Sequence, residues 1–600
     1  MPAYWASNKS WSRGTTGRGR RVKAFISRAA GLLLAIAAAG SVSVACSPGD
    51  RPSGESVAEA ETIYVGDIVT VNDVQPAAEA VAVKDGRILA VGSADAVMAH
   101  RGGSTEVVEL GSNTMLPGFV DAHGHLKNVG FQAMAADLLP PPDSDVGTIE
   151  RLQEKLRAWG ESEVSQRLGW IIGFGYDDSQ LAEGRHPTRD ELDAVSTDRP
   201  IFIIHQSGHL YSVNSKLLEM AGITAETEDP AGGVIRRRAG TREPDGVLEE
   251  TAVFAVLPVF PDFGEEGARH MVREGIAAYT RFGFTTATEG RAFPSDLDIY
   301  AAMAEAGELG IDVIAFPDYW AAREGLADNA WMSREYRGRF RIGGIKGNLD
   351  GSPQGKTAWL THPYHVPPQG QDADYVGYPM LEEEQAMAMF DDAYARGWQV
   401  LNHVNGDAAI DQMIRAARAA TEKYGPADRR TVGIHSQTIR PDQLDAYSEL
   451  GIIPSFFGMH TFYWGDWHRE SVLGPERAAF ISPARAALDR GLRYTEHHDA
   501  PVALPSSIMI IATQVNRTTR SGQVLGPDQR VSPMDAIRST TINAAHQYFE
   551  EDRKGSIEPG KLADLVILDA SPLEVPPETL FDLEVVETIK EGRTVYRRDE

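Results

Sequence analysis

LPGFVDAHGH, residues 116–125, ends an apolar run in two histidines separated by one glycine. In a strand, residues i and i+2 share a face, so His123 and His125 project side by side and can offer both imidazoles to one cation. Gly124 adds no bulk between them, Pro117-Gly118 marks an entry turn, and Phe119-Val120 supply the apolar body of a buried parallel strand. Such a short pattern arises by accident often enough that the rest of the chain must decide its meaning.

Working outward, four more apolar runs end in a group able to bind metal or move a proton. Lys346 ends RIGGIK, His403 ends QVLNH, His435 ends TVGIH and Asp499 ends LRYTEHHD. Singly each has an ordinary role: a lysine paired with a carboxylate, a histidine satisfying core hydrogen bonds, an aspartate capping a helix. Together with His123 and His125 they point to one site of imidazole and carboxylate ligands. Between about 119 and 554, runs such as WIIGFG, PIFIIH, FRIGGIKG, WQVLNHV and RTVGIHS alternate with amphipathic helix-like segments. Alternating βα units imply an α/β fold with a parallel sheet, and their number over 119–554 predicts a TIM-like (β/α)8 barrel, whose chemistry sits at the C-terminal strand ends. No glycine-rich dinucleotide or phosphate loop follows any of these strands, which disfavours a hydride-transferring oxidoreductase.

The flanks read as β structure. TIYVGDIVTVN, AVAVKDGRILAVG and TEVVELGSNTML lie in 61–118, GKLADLVILD and VVETIKEGRTVYR in 555–600, with Asp85-Gly86 and Glu591-Gly592 as hairpin turns. The two ends are expected to pack into one composite β-sandwich. Ahead of them, residues 1–46 combine seven basic and no acidic residues before Cys46 with an Ala-rich apolar stretch, a secretory signal pattern. Residues 47–60 follow as a flexible tether. Cys46, the only cysteine, cannot form an intrachain disulfide and resembles the lipid-modified cysteine of bacterial lipoproteins, although Ser43 stands where that pattern usually has Leu. Lipidation would tether an exported protein to a membrane in the periplasm or cell envelope. The net charge of −27, more negative still without the leader, argues against a nucleic-acid partner.

The order HxH, Lys, His, His, Asp resembles the metal-dependent amidohydrolase superfamily. Longer segments narrow the likeness to its family 3, the YtcJ-like branch that includes N-substituted formamide deformylases: HPTRDELDAVSTDRPIFIIHQSGHLYSVNSKLLEMAGI, DGSPQGKTAWLTHPY, NHVNGDAAID, LGIIPSFFGMHTFYWGD and GSIEPGKLADLVILD. The resemblance implies a divalent metal, zinc first, one or two per chain, and hydrolysis of a C–N bond other than a peptide bond. By position, His123, His125, His403, His435 and Asp499 match metal ligands, and Lys346 falls where many members carry a carbamylated, bridging lysine; otherwise it is a cation near the site. Asp499 is the expected proton acceptor for the attacking water, and His435 the alternative partner of the oxyanion if one ion is present. His498 stands where a small residue is more usual and is expected to narrow the pocket or add a proton donor.

Tyr176, His205, His209, Asn214, His460, Trp464 and Trp467 lie in family-like loop segments and are candidates for binding a small-molecule substrate with an apolar substituent or acyl group. The proline-rich segment 137–145 reads as a loop near the site mouth. A homo-oligomer is compatible with the sequence. Two rival readings stand beside the amide hydrolase: cleavage of a lactone, carbamate or dipeptide on the same scaffold, and a non-enzymatic binding module with a decayed barrel.

Overall fold

The computed structural model describes residues 58–599 apart from 231 and 369. The leader 1–46, Cys46 and residues 47–57 of the tether lie outside the described residues. No helix among the described residues is long and apolar enough to cross a membrane.

Both flanks contribute to a single seven-stranded sheet. Thr62–Val69, Ala77–Lys84, Arg87–Gly92 and Glu106–Pro117 join Leu565–Leu568, Val585–Lys590 and Arg593–Arg597. The seam is antiparallel, with Leu116 opposite Val566 and Pro117 opposite Leu565. Asp85-Gly86 and Glu591-Gly592 both have positive φ at each residue, the conformation that a two-residue hairpin turn requires.

From that sheet the chain passes directly into the parallel strands. Phe119–Val120, Phe284–Ala292, Asp312–Pro317 and Phe340–Ile342 form one parallel run, and Gly344–Asn348, Gln399–Val404, Val432–His435, Ile453–Phe456 and Thr495–Glu496 form another. Only Gly343 separates the two runs along the chain, and Asp318 bridges to Lys346 across them. At the other extremes, Asp499 N donates to His123 O (3.3 Å) and His125 N to Ala500 O (2.8 Å).

Helices between these strands follow from local sequence. In Glu383–Arg396, Glu382 and Gln385 form a capping box, Ala386, Met389, Phe390, Ala393 and Tyr394 make the buried stripe, and Gly397 ends the helix in the left-handed conformation. Asp407–Tyr424 likewise buries Ile410, Met413, Ala417 and Ala420 on one face.

The structure corrects the reading of two runs. WIIGFG and PIFIIH do not belong to the parallel strands that carry the histidines. Ile171–Tyr176 and Ile201–His205 lie in a separate six-stranded sheet, with Ala136–Asp137, Leu210–Val213, Gly233–Arg237 and Pro244–Glu250, between Phe119–Val120 and Phe284–Ala292. A strand buried on both faces is apolar in any sheet, so periodicity alone cannot distinguish the two.

Candidate metal centre

His123 and His125 stand just beyond strand Phe119–Val120, where the chain turns into helix Leu126–Met134. The turn is tied by Asp121, whose carboxylate accepts His123 N (3.0 Å) and Thr288 N (2.9 Å). Burial pushes Asp121 up to about 7, opposed by those amide hydrogen bonds. A Cβ at Gly124 would collide with the Tyr279 hydroxyl and the His498 ring, so only glycine lets the two histidines flank this point.

The structure places these residues at or near strand ends. Lys346 is the third residue of Gly344–Asn348, His403 the fifth of Gln399–Val404, His435 the last of Val432–His435, and Asp499 lies three residues beyond Thr495–Glu496. His435 (φ 70°) and Asp499 (φ 52°) occupy the left-handed region, a strain of about 1–3 kcal/mol each, where the backbone leaves its strand.

All six residues converge. Asp499 Oδ1 lies 3.2 Å from His123 Nε2 and 3.3 Å from His125 Nε2. Lys346 Nζ is 3.1 Å from the same His123 Nε2, and His403 Nδ1 is 3.1 Å from His435 Nε2, itself 3.9 Å from Asp499 Oδ2. Burial holds the His123, His403 and His435 imidazoles well below their usual range, so they are neutral lone-pair donors. Burial also raises the Asp499 carboxyl, but His435, His123 and His125 outweigh it and hold that group well below the usual carboxylate range. Burial draws the Lys346 ammonium down to about 7 against the pull of Asp499.

The donors fit a divalent cation. Asp499 Oδ1 has no hydrogen-bond partner among the described residues despite the two imidazole nitrogens beside it. The His123–Asp499, His125–Asp499 and His403–His435 separations of 3.2, 3.3 and 3.1 Å approach the edge, about 3.4 Å, of a tetrahedron with bonds of about 2.0–2.1 Å, and His435 Nε2 stands 3.9 Å from Asp499 Oδ2. Imidazoles with a carboxylate are the nitrogen and oxygen set that zinc favours.

Two supporting residues were missed in the sequence. Glu289, inside strand Phe284–Ala292, lies 3.8 Å from His125 Nδ1 and accepts from Tyr300 Oη (2.7 Å) and Lys127 N (2.9 Å). His497 Nε2 lies 3.0 Å from His435 Nδ1. Alternation was the available signal, because in HHD the residue sharing a side with Asp499 is His497. His498 accordingly turns away and neither narrows the centre nor donates into it. Its Nδ1 accepts from Ala500 N (2.8 Å), and its ring meets Tyr279 and Phe284 edge-on, each at 5.2 Å.

The candidate substrate residues divide. The His209 ring lies 6.1 Å from that of His403, with Nδ1 held 2.8 Å from Glu250 Oε2. His460 meets Phe457 edge-on (4.6 Å), and Phe457 reaches His435 (6.1 Å); Trp464 packs on His460 (4.7 Å) and donates to Asp177 Oδ2 (2.8 Å). Trp467 donates to Gln354 O (3.1 Å) beneath the Lys356 ammonium. Asp143 accepts from Tyr463 Oη (3.0 Å), which sets the 137–145 loop against helix His460–Trp467.

The others have internal duties. Asn214 caps helix Ser215–Ala221, accepting from Leu217 N and Ile201 N and donating to Ser196 O and Arg199 O, so its amide has nothing left for a substrate. Tyr176 is fully buried, its hydroxyl 3.1 Å from both His186 Nδ1 and Ser212 Oγ. His205 lies 3.1 Å from Asp178 Oδ1 and 3.6 Å from Asp177 Oδ1, a second group of potential ligand atoms, engaged with Ser207, Ser179 and Trp464.

A profile of the amidohydrolase family matches residues 106–596. The chain belongs to the amidohydrolase family. This amidohydrolase is 27% identical over 552 residues to the N-substituted formamide deformylase of Arthrobacter pascens, a match covering 89% of this chain and 98% of the relative. It is 26% identical over 541 residues to the putative amidohydrolase YtcJ of Bacillus subtilis, covering 87% and 96%. A third relative, the Arabidopsis thaliana protein LONG AFTER FAR-RED 3, is 28% identical over 528 residues, covering 84% and 86%. The amidohydrolase also shares its fold with an uncharacterized metal-dependent hydrolase from Pyrococcus horikoshii, at a TM-score of 0.68 and 24% identity over 86% of this chain and 99% of that one.

Proposed function

We propose that this amidohydrolase cleaves a C–N bond of amide type, in an N-substituted formamide or an N-acyl compound, by metal-assisted attack of water. The observation that carries the reading is the placement of Asp499 Oδ1 between the His123 and His125 Nε2 atoms, with Lys346 and the His403–His435 pair beside it. His123, His125, His403, His435 and Asp499 would hold a divalent ion, zinc first by donor chemistry, which when bound would polarise the scissile carbonyl and lower the pKa of the attacking water towards about 7. Asp499, whose carboxyl is held well below the usual carboxylate range, accepts the water's proton and returns it to the leaving nitrogen. His209, aimed by Glu250, and His460 with Trp464 offer a polar and an aromatic wall for the acyl group and the nitrogen substituent. The likeness to a formamide deformylase over 98% of that relative's length supports this substrate class.

One or two ions remain alternatives of the same reading. Two require Lys346 as a carbamate, formed when its neutral amine attacks CO2 and loses a proton; the fall to about 7 supplies that amine near neutral pH. With one ion, Lys346 would stay an amine and His435 would be the group placed to stabilise negative charge on the carbonyl oxygen. The reading includes a closed (β/α)8 barrel, counting 340–348 as one strand and joined at its ends through residues 123–125 and 499–500, with the seven-stranded sheet as its composite end domain. It also includes export and lipidation at Cys46, supported by the basic, Ala-rich leader; full-length, uncleaved chain in the cytoplasm after fractionation would refute this part.

A substrate panel tests the activity. Turnover of formamides or N-acyl amino acids by the metal-loaded protein, lost in His123→Ala together with the metal, is the expected result. Turnover confined to lactones, carbamates or dipeptides would overturn the bond assignment and leave the centre standing.

A further inference from the structure

We infer that His497 is the positioning residue for His435: with Ser455 behind it, it fixes the tautomer in which His435 offers Nε2 to a cation. Three buried groups lie in line. Ser455 Oγ is 3.0 Å from His497 Nδ1, and His497 Nε2 is 3.0 Å from His435 Nδ1. Ser455 and His497 are fully buried and His435 almost so, leaving water little access to compete for these contacts.

The proton positions follow from the partners at the two ends. His403 Nε2 lies 3.1 Å from Gly351 O, a carbonyl that only accepts, and 3.2 Å from Asn405 Nδ2, whose amide already donates to that carbonyl (2.9 Å); with the His403 proton on Nε2 the carbonyl accepts from both and His403 presents a lone pair at Nδ1. That lone pair faces His435 Nε2 at 3.1 Å. For both nitrogens to serve a cation, His435 must carry its proton on Nδ1. His435 Nδ1–H then donates to His497 Nε2, and His497 Nδ1–H donates to Ser455 Oγ, a hydroxyl free to accept. Each link then sets the next, with His497 accepting at Nε2 from His435 and donating from Nδ1 to Ser455. Partners of this kind on the far nitrogen of a ligating histidine tune metal affinity by about 10–100-fold when removed. His497 also packs against Phe457 and His123, so the test must separate hydrogen bonding from packing.

The inference rests on the proposed centre, and the experiment distinguishes them. Zinc affinity of the full chain is measured by chelator competition for wild type, H497L, H497Q and S455A, with long-range 15N spectra of labelled histidine on the zinc-loaded wild type. Leucine retains bulk but cannot accept; glutamine can accept from His435. The expected result is a 10–100-fold loss of zinc affinity in H497L, a smaller loss in S455A, recovery towards wild type in H497Q, and a protonated Nδ1 on His435. Equal affinity in wild type and H497L, equal loss in H497L and H497Q, or a protonated His435 Nε2 would overturn the inference while the centre stands. If H497L does not fold, H497Q, S455A and the spectra decide it alone. A wild-type chain that takes up no zinc overturns the centre and this inference with it.

Discussion

At the scale of residues, Gly124 makes the two-histidine pattern work, because any side chain there meets Tyr279 and His498. Gly124→Ala is expected to cost about 1–3 kcal/mol through overpacking and to weaken metal binding. Adding Tyr279→Phe, which removes the hydroxyl in the way, should recover part of both, as read in a double-mutant cycle of denaturant midpoints. Asp499→Asn is expected to keep the fold and lower kcat about 10²–10⁴-fold; an unchanged kcat would move the proton acceptor elsewhere. The six converging residues were legible because each stands at the end of an apolar run. Glu289 was not, because a glutamate within FTTATEGRA looks like any edge-strand charge until Tyr300 and the Lys127 amide are seen on it. Asn214 misled for the opposite reason: helix capping and substrate binding call for the same side chain, and only its four hydrogen bonds tell them apart.

At the scale of elements, the short strand Thr495–Glu496 carries an acid that forms no ion pair among the described residues, with only the more distant charge of Arg517 acting on it. Glu496 accepts Gly458 N (2.8 Å), its other oxygen has no partner among the described residues, and burial lifts it to about 8. An acid whose folded pKa lies above its unfolded value binds more protons when folded. Its stabilising contribution is therefore complete below about 4.5 and is lost as pH rises to about 8. Urea midpoints should fall across that window, and Glu496→Gln should flatten the decline; an unchanged slope would refute the assignment. Hairpins were legible at this scale, since Asp85-Gly86 and Glu591-Gly592 encode their turns locally. Sheet membership was not: Ile171–Tyr176 and Ile201–His205 are apolar because both faces are covered, and the covering elements lie far away in sequence.

At the scale of the whole molecule, the end sheet and the parallel strands are joined by buried charges. Asp312, at the start of strand Asp312–Pro317, lies 2.5 Å from Lys554 and 2.6 Å from Lys590, and Lys590 also meets Asp564 at 2.8 Å. Asp312→Ala would leave two buried ammonium groups undercompensated. It is expected to cost about 3–5 kcal/mol in denaturant unfolding while the remaining folded protein keeps its metal. Separate transitions for the end sheet and the remainder would contradict this coupling. The two ends share one kind of strand chemistry in the sequence; the lysines gave no sign, because Asp312, the partner they share, is more than two hundred residues away from both.

The most direct test of the account is metal content, measured by elemental mass spectrometry on purified protein prepared with bicarbonate and without chelators. The expected result is one or two zinc ions per chain, two if Lys346 is carbamylated, with the metal absent from His123→Ala. No bound metal after incubation with zinc, manganese or iron, or full stoichiometry in the His123 variant, would contradict it.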